Sequence, residues 1–469
     1  MNKLINRTVK WAFTFVVAAA LFGACSKDED SAWMSLDSDV LFVGGWGQTE
    51  TMRFTSENLQ SVTVTDIPKG WDITADVVTK IITVTTPKVQ ADTVKISGTV
   101  IITGRSYEGN HLVNKLFVAI ADRTDLSAQQ SNCYILSKPH TEYSMEVTKK
   151  GETTEVLPTA NAKIIWQTTK DLIKYLKYKD GKVTFYVNGD DKGALVEGNA
   201  LVGAYDGAGN LLWSWHLWAV DATDIQQQTY ANGKTFMSLN LGALGNSNST
   251  NAEILASYGL FYQWGRKEPF VGPRTYDAAK AQNHALYNGE GRTVVVAYQE
   301  STAEIGTTTY AATHPLSFIL GVEASAYDWL YTTHSETLWS ATKNLNDPCP
   351  KGWTVPSKND FAGLTIADKA SGTEKQFGWK LTDGTTNAYY PAAGFRTYLK
   401  GHIQNVYNPI SGVDVPKPWV GYYWTNGSET TRSMAMYFWL NAADIQQSGI
   451  EIAVPQYRAN GMQIRCVKQ

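Results

Sequence analysis

Charge is scarce in this sequence. Only 18% of its 469 residues are Asp, Glu, Lys or Arg, and 41 cations against 44 anions leave a formal net charge of −3. No basic stripe rises out of that near balance, which argues against nucleic acid as a partner, because phosphate binding needs clustered Lys and Arg. Cysteine is scarcer still. Cys25, Cys133, Cys349 and Cys466 are the only four, and no two have the short spacing of a metal or redox motif. The 7 histidines are scattered, with no ligand-spaced pair. A nucleophile elbow, a phosphate loop, a His-Glu-x-x-His helix and a dinucleotide fingerprint are all missing. The carboxylates offer no pair that reads as a glycosidase dyad. Beyond residue 22, no apolar run approaches the ~20 residues that a membrane-spanning helix needs.

What is abundant is aromatic and turn-forming. The chain carries 16 Trp, 24 Tyr, 15 Phe and 38 Gly, and 43% of it is hydrophobic, so a packed globular protein follows and wholesale disorder is excluded. Short runs of Val, Ile and Thr lean the composition towards β structure. The length suits about three modest domains.

At the N-terminus, Lys3, Arg7 and Lys10 precede an apolar run over 11–22, the layout of a signal peptide over 1–24. Leu21-Phe22-Gly23-Ala24-Cys25 resembles a bacterial lipoprotein cleavage box, although Phe22 stands where the leucine usually lies. The resemblance implies that Cys25 is lipidated. An acidic tether over 25–32, with Asp28-Glu29-Asp30, resembles the export signal of Bacteroidetes surface lipoproteins. Together these imply a lipid-anchored outer-membrane protein facing the cell exterior.

From 33 to 122, short alternating runs such as Thr51-Met52-Arg53-Phe54 and Ile81-Ile82-Thr83-Val84 read as a small antiparallel sandwich. With its Pro68-Lys69-Gly70-Trp71 turn, this segment resembles the immunoglobulin-like or BACON-type modules of Bacteroidetes surface proteins. A second β module is expected over 126–224. Within it, Asp206-Gly207-Ala208-Gly209-Asn210 reads as the turn of a hairpin, and turn chemistry explains its oxygens better than calcium does. Alternation puts Trp213, Trp215 and Leu217 on one face of the returning strand and Ser214, His216 and Trp218 on the other. His216 is therefore expected as a buried, hydrogen-bonded histidine rather than a ligand.

The segment 226–469 carries the most specific pattern. It contains, in order, Leu241-Gly242-Ala243, Tyr262-Gln263-Trp264-Gly265-Arg266-Lys267-Glu268-Pro269-Phe270, and Asp347-Pro348-Cys349-Pro350-Lys351-Gly352-Trp353-Thr354-Val355-Pro356. Tyr390-Pro391-Ala392-Ala393-Gly394-Phe395-Arg396, Gly421-Tyr422-Tyr423-Trp424-Thr425 and Arg458-Ala459-Asn460-Gly461-Met462-Gln463-Ile464-Arg465-Cys466 follow. These blocks resemble the Fibrobacter succinogenes major paralogous domain. Ser238-Leu239-Asn240 departs from that family's usual Asp-Arg-Asn run. The resemblance implies an α+β domain similar to C-type lectin-like and formylglycine-generating-enzyme-like folds. The expected chain is thus two all-β sandwich modules followed by a lectin-like domain. The residues themselves predict a helix over 251–264 and a second after the Ser357 capping box, with strands over 422–425, 433–440 and 463–467.

Lectin-like domains often bridge positions comparable to Cys349 and Cys466, so the resemblance implies that disulfide, with Cys133 a free buried thiol. The alternative is that all three are buried and reduced. An oxidase is the enzyme alternative implied by the formylglycine-generating fold, but one terminal cysteine does not assemble its chemistry. The segments 274–310 and 400–419 lack periodicity, and Tyr287, Tyr407 and Trp419 within them, with Tyr398 just before the second, are expected as ligand contacts or as lids over the core. The reading is a non-enzymatic cell-surface recognition protein, for adhesion or glycan binding, that takes a glycan or surface-protein ligand without cofactor or metal. A fimbrial tip or accessory subunit is the structural alternative, with fimbrial subunits as partners.

Overall fold

The computed structural model describes residues 31–469, apart from 92, 152, 191–192, 273–283, 368–377, 405–418 and 442–443. Cys25 and Tyr407 lie outside the described residues, as does the side chain of Trp419. The fold is β-rich and multidomain, and its described residues form two compact units, 31–41 with Thr49–Val118, and Phe42–Gln48 with Ala119–Gln469.

The first unit is built on two four-stranded sheets. One runs Trp33–Leu36, Thr49–Glu57, Ile81–Thr85, Asp72–Asp76, and the other Val40–Val43, His111–Ile120, Ser97–Ser106, Leu59–Thr65. Strict alternation drives this arrangement. Met52 and Phe54, Ile82 and Val84, and Val100 and Ile102 are buried on every second position, which is the pattern that a half-buried strand imposes. The Pro68–Trp71 turn closes with Trp71 N donating to Pro68 O at 3.0 Å, and Gly70 supplies the positive φ of 94° that such a turn requires. Trp71 is buried behind it, and its Nε1 donates to Lys95 O at 2.6 Å.

In the second unit, a six-stranded sheet runs Cys133–Leu136, Leu211–Ala219, Gly198–Tyr205, Asn161–Gln167, Leu286–Tyr287, Thr293–Val294. The hairpin over 198–219 forms as the sequence predicts. Asp206 Oδ1 accepts from the backbone N–H groups of Ala208 (2.9 Å) and Asn210 (2.8 Å), so the turn itself engages that carboxylate. The Leu211–Ala219 strand is buried on both faces. Trp213, Trp215, Leu217 and Ala219 join one core with Tyr143, Phe185 and Val202. Trp218, on the other face, joins a second core with Leu241, Ile254, Tyr258, Trp264, Cys349 and Cys466.

That second core runs across the expected division at residues 224–226. Cys133, Trp166 and Leu201 from 126–224 pack with the C-terminal segment, and Tyr287 pairs with Gln167 to extend the same sheet. A buried ionic group ties them further. Lys267 Nζ lies 2.8 Å from Glu268 Oε1 and donates to both Ser214 O and Ser214 Oγ at 2.9 Å. The two segments are one folded body.

Three expected elements change. The first helix spans Asn251–Tyr258 and stops short of 264. Gly259 takes a φ of 75°, and a Cβ there would lie 2.9 Å from Leu241 O, so the chain turns where only glycine fits. The second helix is a single 3₁₀ turn, Lys358–Phe361, entered where Ser357 N donates to Asp360 Oδ2 at 2.7 Å. The terminal sheet contains Trp419–Glu429, Arg432–Leu440 and, as its third strand, Gly449–Tyr457. Residues 463–467 form no strand of it; Gln463 touches it through an isolated parallel bridge to Tyr423, and Val467–Lys468 pairs with Trp353–Thr354. The segment 274–310 is not one loop, since Leu286–Tyr287, Thr293–Val294 and Ala297–Glu300 are strands.

Cys349 and Cys466 are joined by a disulfide across 117 residues, and Cys133 is a buried free thiol. Closing a loop of that length removes denatured-chain entropy worth about 4–5 kcal/mol. The Cys349→Ser, Cys466→Ser double variant is expected to lose stability of that order in urea unfolding. Non-reducing peptide mapping of the parent protein is expected to link these two cysteines and leave Cys133 free. A Cys133-containing bridge would contradict this pairing.

Candidate functional site

Three tyrosine rings and one guanidinium meet on the partly exposed surface of the second unit. Arg432 and Tyr457 stand directly opposite each other on neighbouring strands of the terminal sheet, and the Arg432 guanidinium carbon lies 3.5 Å from the Tyr457 ring centre. Tyr398 adds its ring 4.4 Å from Tyr457. Tyr327 closes the triangle, 5.1 Å from Tyr398 and 5.0 Å from Tyr457. All four side chains are half-buried. No phenol oxygen of the three has a hydrogen-bond partner among the described residues, and Arg432 makes no ion pair among them.

The backbone beneath is over-determined. Ala326 and Tyr327 both sit in the left-handed region, at φ 50° and 61°, a costly conformation for a bulky residue such as tyrosine. Tyr327 N donates to Val322 O at 2.9 Å, and Gly321 N donates to Tyr398 O at 2.9 Å, which ties the turn to the Tyr398 segment. A Cβ on Gly321 would lie 2.6 Å from Tyr327 O, so glycine is required for this approach. Asn460 Oδ1 accepts from Tyr398 N at 2.8 Å, and Asn460 N donates to Tyr457 O at 2.9 Å.

Tyr327 and Tyr457 each precede one member of a buried ion pair. Asp328 Oδ2 lies 3.3 Å from Arg458 Nη1 and 3.0 Å from His334 Nδ1. Arg458 also donates to Ser433 Oγ and to Ser335 O, and its guanidinium carbon lies 4.6 Å from the Trp264 ring centre. Burial pushes the Asp328 carboxyl above the ordinary carboxylate range, with the Arg458 charge opposing it. Partial burial also raises the Tyr398 phenol, with Tyr457 and Tyr327 adding and Arg432 opposing, so it stays a neutral donor. The cluster is rigid, aromatic and cationic on one edge.

Of the residues that the sequence singles out, Tyr398 lies in this cluster. Tyr287 lies elsewhere, on the six-stranded sheet with Lys170 Nζ 5.1 Å from its ring centre. Trp419 begins the first strand of the terminal sheet. Tyr327, Tyr457 and Arg432 are the members that sequence reasoning misses. The Arg432–Tyr457 pairing becomes visible only once Gly449–Tyr457 is recognised as a strand.

A second constellation has the residue types of a cysteine peptidase. His216 Nδ1 lies 3.3 Å from Cys133 Sγ, and His216 Nε2 lies 2.8 Å from Asn199 Oδ1. Asn199 Nδ2 donates to Gly242 O at 2.9 Å, which orients the amide oxygen towards the imidazole. Nε2 therefore carries the proton, and the thiol donates to Nδ1. Catalysis needs a thiolate and access to substrate. Here Cys133 is 1% and His216 2% exposed. Burial pushes the thiol up and the imidazole down to about 3, so both groups are neutral and sealed. This is core polarity, as the alternation of the strand predicts for His216. Among the described residues no group of three or more His, Cys, Asp or Glu side chains could hold a metal.

No protein-family model matches the chain, and no curated protein matches it. Among solved structures, the D00-D0 domain of intimin overlaps 40% of this chain and 96% of its own, at 10% identity and a TM-score of 0.17. The SGBP-B protein of the Bacteroides ovatus mixed-linkage glucan utilization locus, in complex with a mixed-linkage heptasaccharide, overlaps 39% of this chain and 42% of its own, at 8% identity and a TM-score of 0.13. The ICAM-5 D1-D4 ectodomain fragment overlaps 40% and 51%, at 9% identity and 0.15. Overlaps at these scores carry no inference for this chain.

The buried histidine makes stability depend on pH. His216 binds a proton in the unfolded chain below its ordinary value of 6.5 but in the folded protein only below about 3. Its contribution is complete above pH 6.5 and is lost as pH falls towards 3. The Tm of the parent is expected to fall over that window. His216→Gln, which cannot titrate, is expected to show a lower Tm at neutral pH and a shallower acid slope. Parallel slopes in thermal melts would refute the assignment.

Proposed function

We propose that this chain is a lipid-anchored outer-membrane protein of the cell exterior that recognises glycans, without catalysis, through the Tyr327–Tyr398–Tyr457 cluster. One observation carries the reading: three half-buried tyrosine rings are held on a locked backbone beside the Arg432 guanidinium, and neither the phenol oxygens nor the guanidinium has a hydrogen-bond or ion-pair partner among the described residues. Aromatic faces stack on the apolar faces of sugar rings, and free hydroxyls and N–H groups serve the sugar's own hydroxyls. Preorganisation lowers the ordering cost of binding.

The six ordered blocks of 226–469 support a lectin-like domain of the Fibrobacter succinogenes major paralogous type as the bearer of this site. The enzyme alternative finds no support in the cysteines. Cys349 and Cys466 are spent on a disulfide, and Cys133 is sealed. The cleavage box ending in Cys25 supports lipid anchoring.

Two measurements test the reading. Tyr398→Ala and Tyr457→Ala are each expected to weaken glycan binding by about tenfold, the scale of a hot-spot aromatic, while Tyr287→Ala leaves it unchanged. Equal retention by all three variants on a glycan array would reject the site. Cys25→Ala is expected to move the protein from the membrane to the soluble fraction, since attachment would rest on acyl chains. A variant that stays with the membrane rejects the lipid anchor.

A further inference from the structure

Resting on that reading, we infer that the cluster selects acidic glycans, with Arg432 as the group that binds their carboxylate or sulfate. The other buried or half-buried arginines around it are engaged. Arg458 lies 3.3 Å from Asp328, and Arg266 lies 3.4 Å from Glu268. Arg432 differs. It is half-buried, yet its guanidinium has neither an ion-pair partner nor a hydrogen-bond acceptor among the described residues.

The carboxylates nearest in the fold do not serve it. Glu429 stands opposite Arg432 at the end of the hairpin without forming an ion pair. Glu336 Oε1 already accepts from Thr430 N at 2.6 Å. Asp328 is buried and committed to Arg458 and His334.

Orientation matters as much as charge. A guanidinium carbon 3.5 Å from the Tyr457 ring centre is in stacking contact, so the π-face of Arg432 is spent on the tyrosine. Its N–H edges remain for an in-plane acceptor, and an arginine fork matches a carboxylate or sulfate in two parallel hydrogen bonds. A sugar lying on Tyr398 and Tyr327 would present a ring substituent to that fork. A neutral sugar would leave it satisfied only by water. The two anionic groups share this chemistry, so both acidic series belong in the test.

The experiment compares three probes on the full protein by calorimetry: a neutral galacto-oligosaccharide, an oligogalacturonate of equal length and a sulfated galacto-oligosaccharide. At least one acidic probe is expected to bind about tenfold tighter than the neutral one, with the gain shrinking as salt rises. The probe that gains identifies the anion. Arg432→Gln is expected to abolish the gain while weakening neutral binding by a smaller factor, whereas Arg432→Lys retains part of the gain. Thermal melts confirm that both variants fold. Equal binding of all three probes by the parent, or an equal loss of neutral and acidic binding in Arg432→Gln, overturns the selectivity while leaving glycan recognition intact. Absence of binding to every probe overturns the recognition reading and the selectivity with it.

Discussion

Burial of both faces of the Leu211–Ala219 strand is the constraint on which the second unit depends. A strand with one wet face needs a single partner layer; this one needs two. Each buried tryptophan removes about 150–250 Å² from water, worth roughly 4–6 kcal/mol before entropy is counted. Trp213 and Trp215 draw that from one side and Trp218 from the other, so neither core can be dismantled without uncovering the strand. The polar atoms on the second face are handled in the same spirit. His216 is bracketed by Cys133 and Asn199, and Ser214 receives Lys267. A sealed thiol beside an imidazole follows from this packing and from nothing catalytic.

Much of the β structure is legible because alternation is a local signal. Met52 and Phe54 announce an inward face, Asp206 through Asn210 announce a turn, and the outcome at His216 follows from its place among the tryptophans. The Ser357 capping box is also local, and Ser357 stands at the start of the 3₁₀ turn where the sequence puts it. What ends these elements is not local. Gly259 stops the first helix because its backbone approaches Leu241 O, a contact between residues that no window of sequence contains. The boundary near 225 misleads for a similar reason. The sheet crosses it through the two residues Leu286–Tyr287, too few to carry a periodic signature.

The tyrosine cluster is the hardest part to read in advance. Tyr398 is visible as an aromatic in an irregular segment. Tyr327 owes its position to an unusual backbone turn, and Tyr457 and Arg432 owe theirs to the register of two strands. None of these is encoded in the type of residue alone. Each follows from the arrangement around the buried Asp328–Arg458 pair. Removing one partner of such a pair leaves an uncompensated charge and costs about 3–5 kcal/mol, so the surface rings inherit the rigidity of an interaction they do not make themselves.

For the lipid-anchored protein proposed above, the disulfide would have a mechanical meaning. Tyr398, Arg432 and Tyr457 all lie between Cys349 and Cys466 in the chain. Tension applied at the rings can leave this segment along two covalent routes, back to Cys349 and forward to Cys466, and the sulfur bridge rejoins them at one point. A pull that peels the strands of the terminal sheet is therefore shared between two backbones, and the slack that unravelling releases is bounded by the loop. Reduction would turn that closed ring into a single thread.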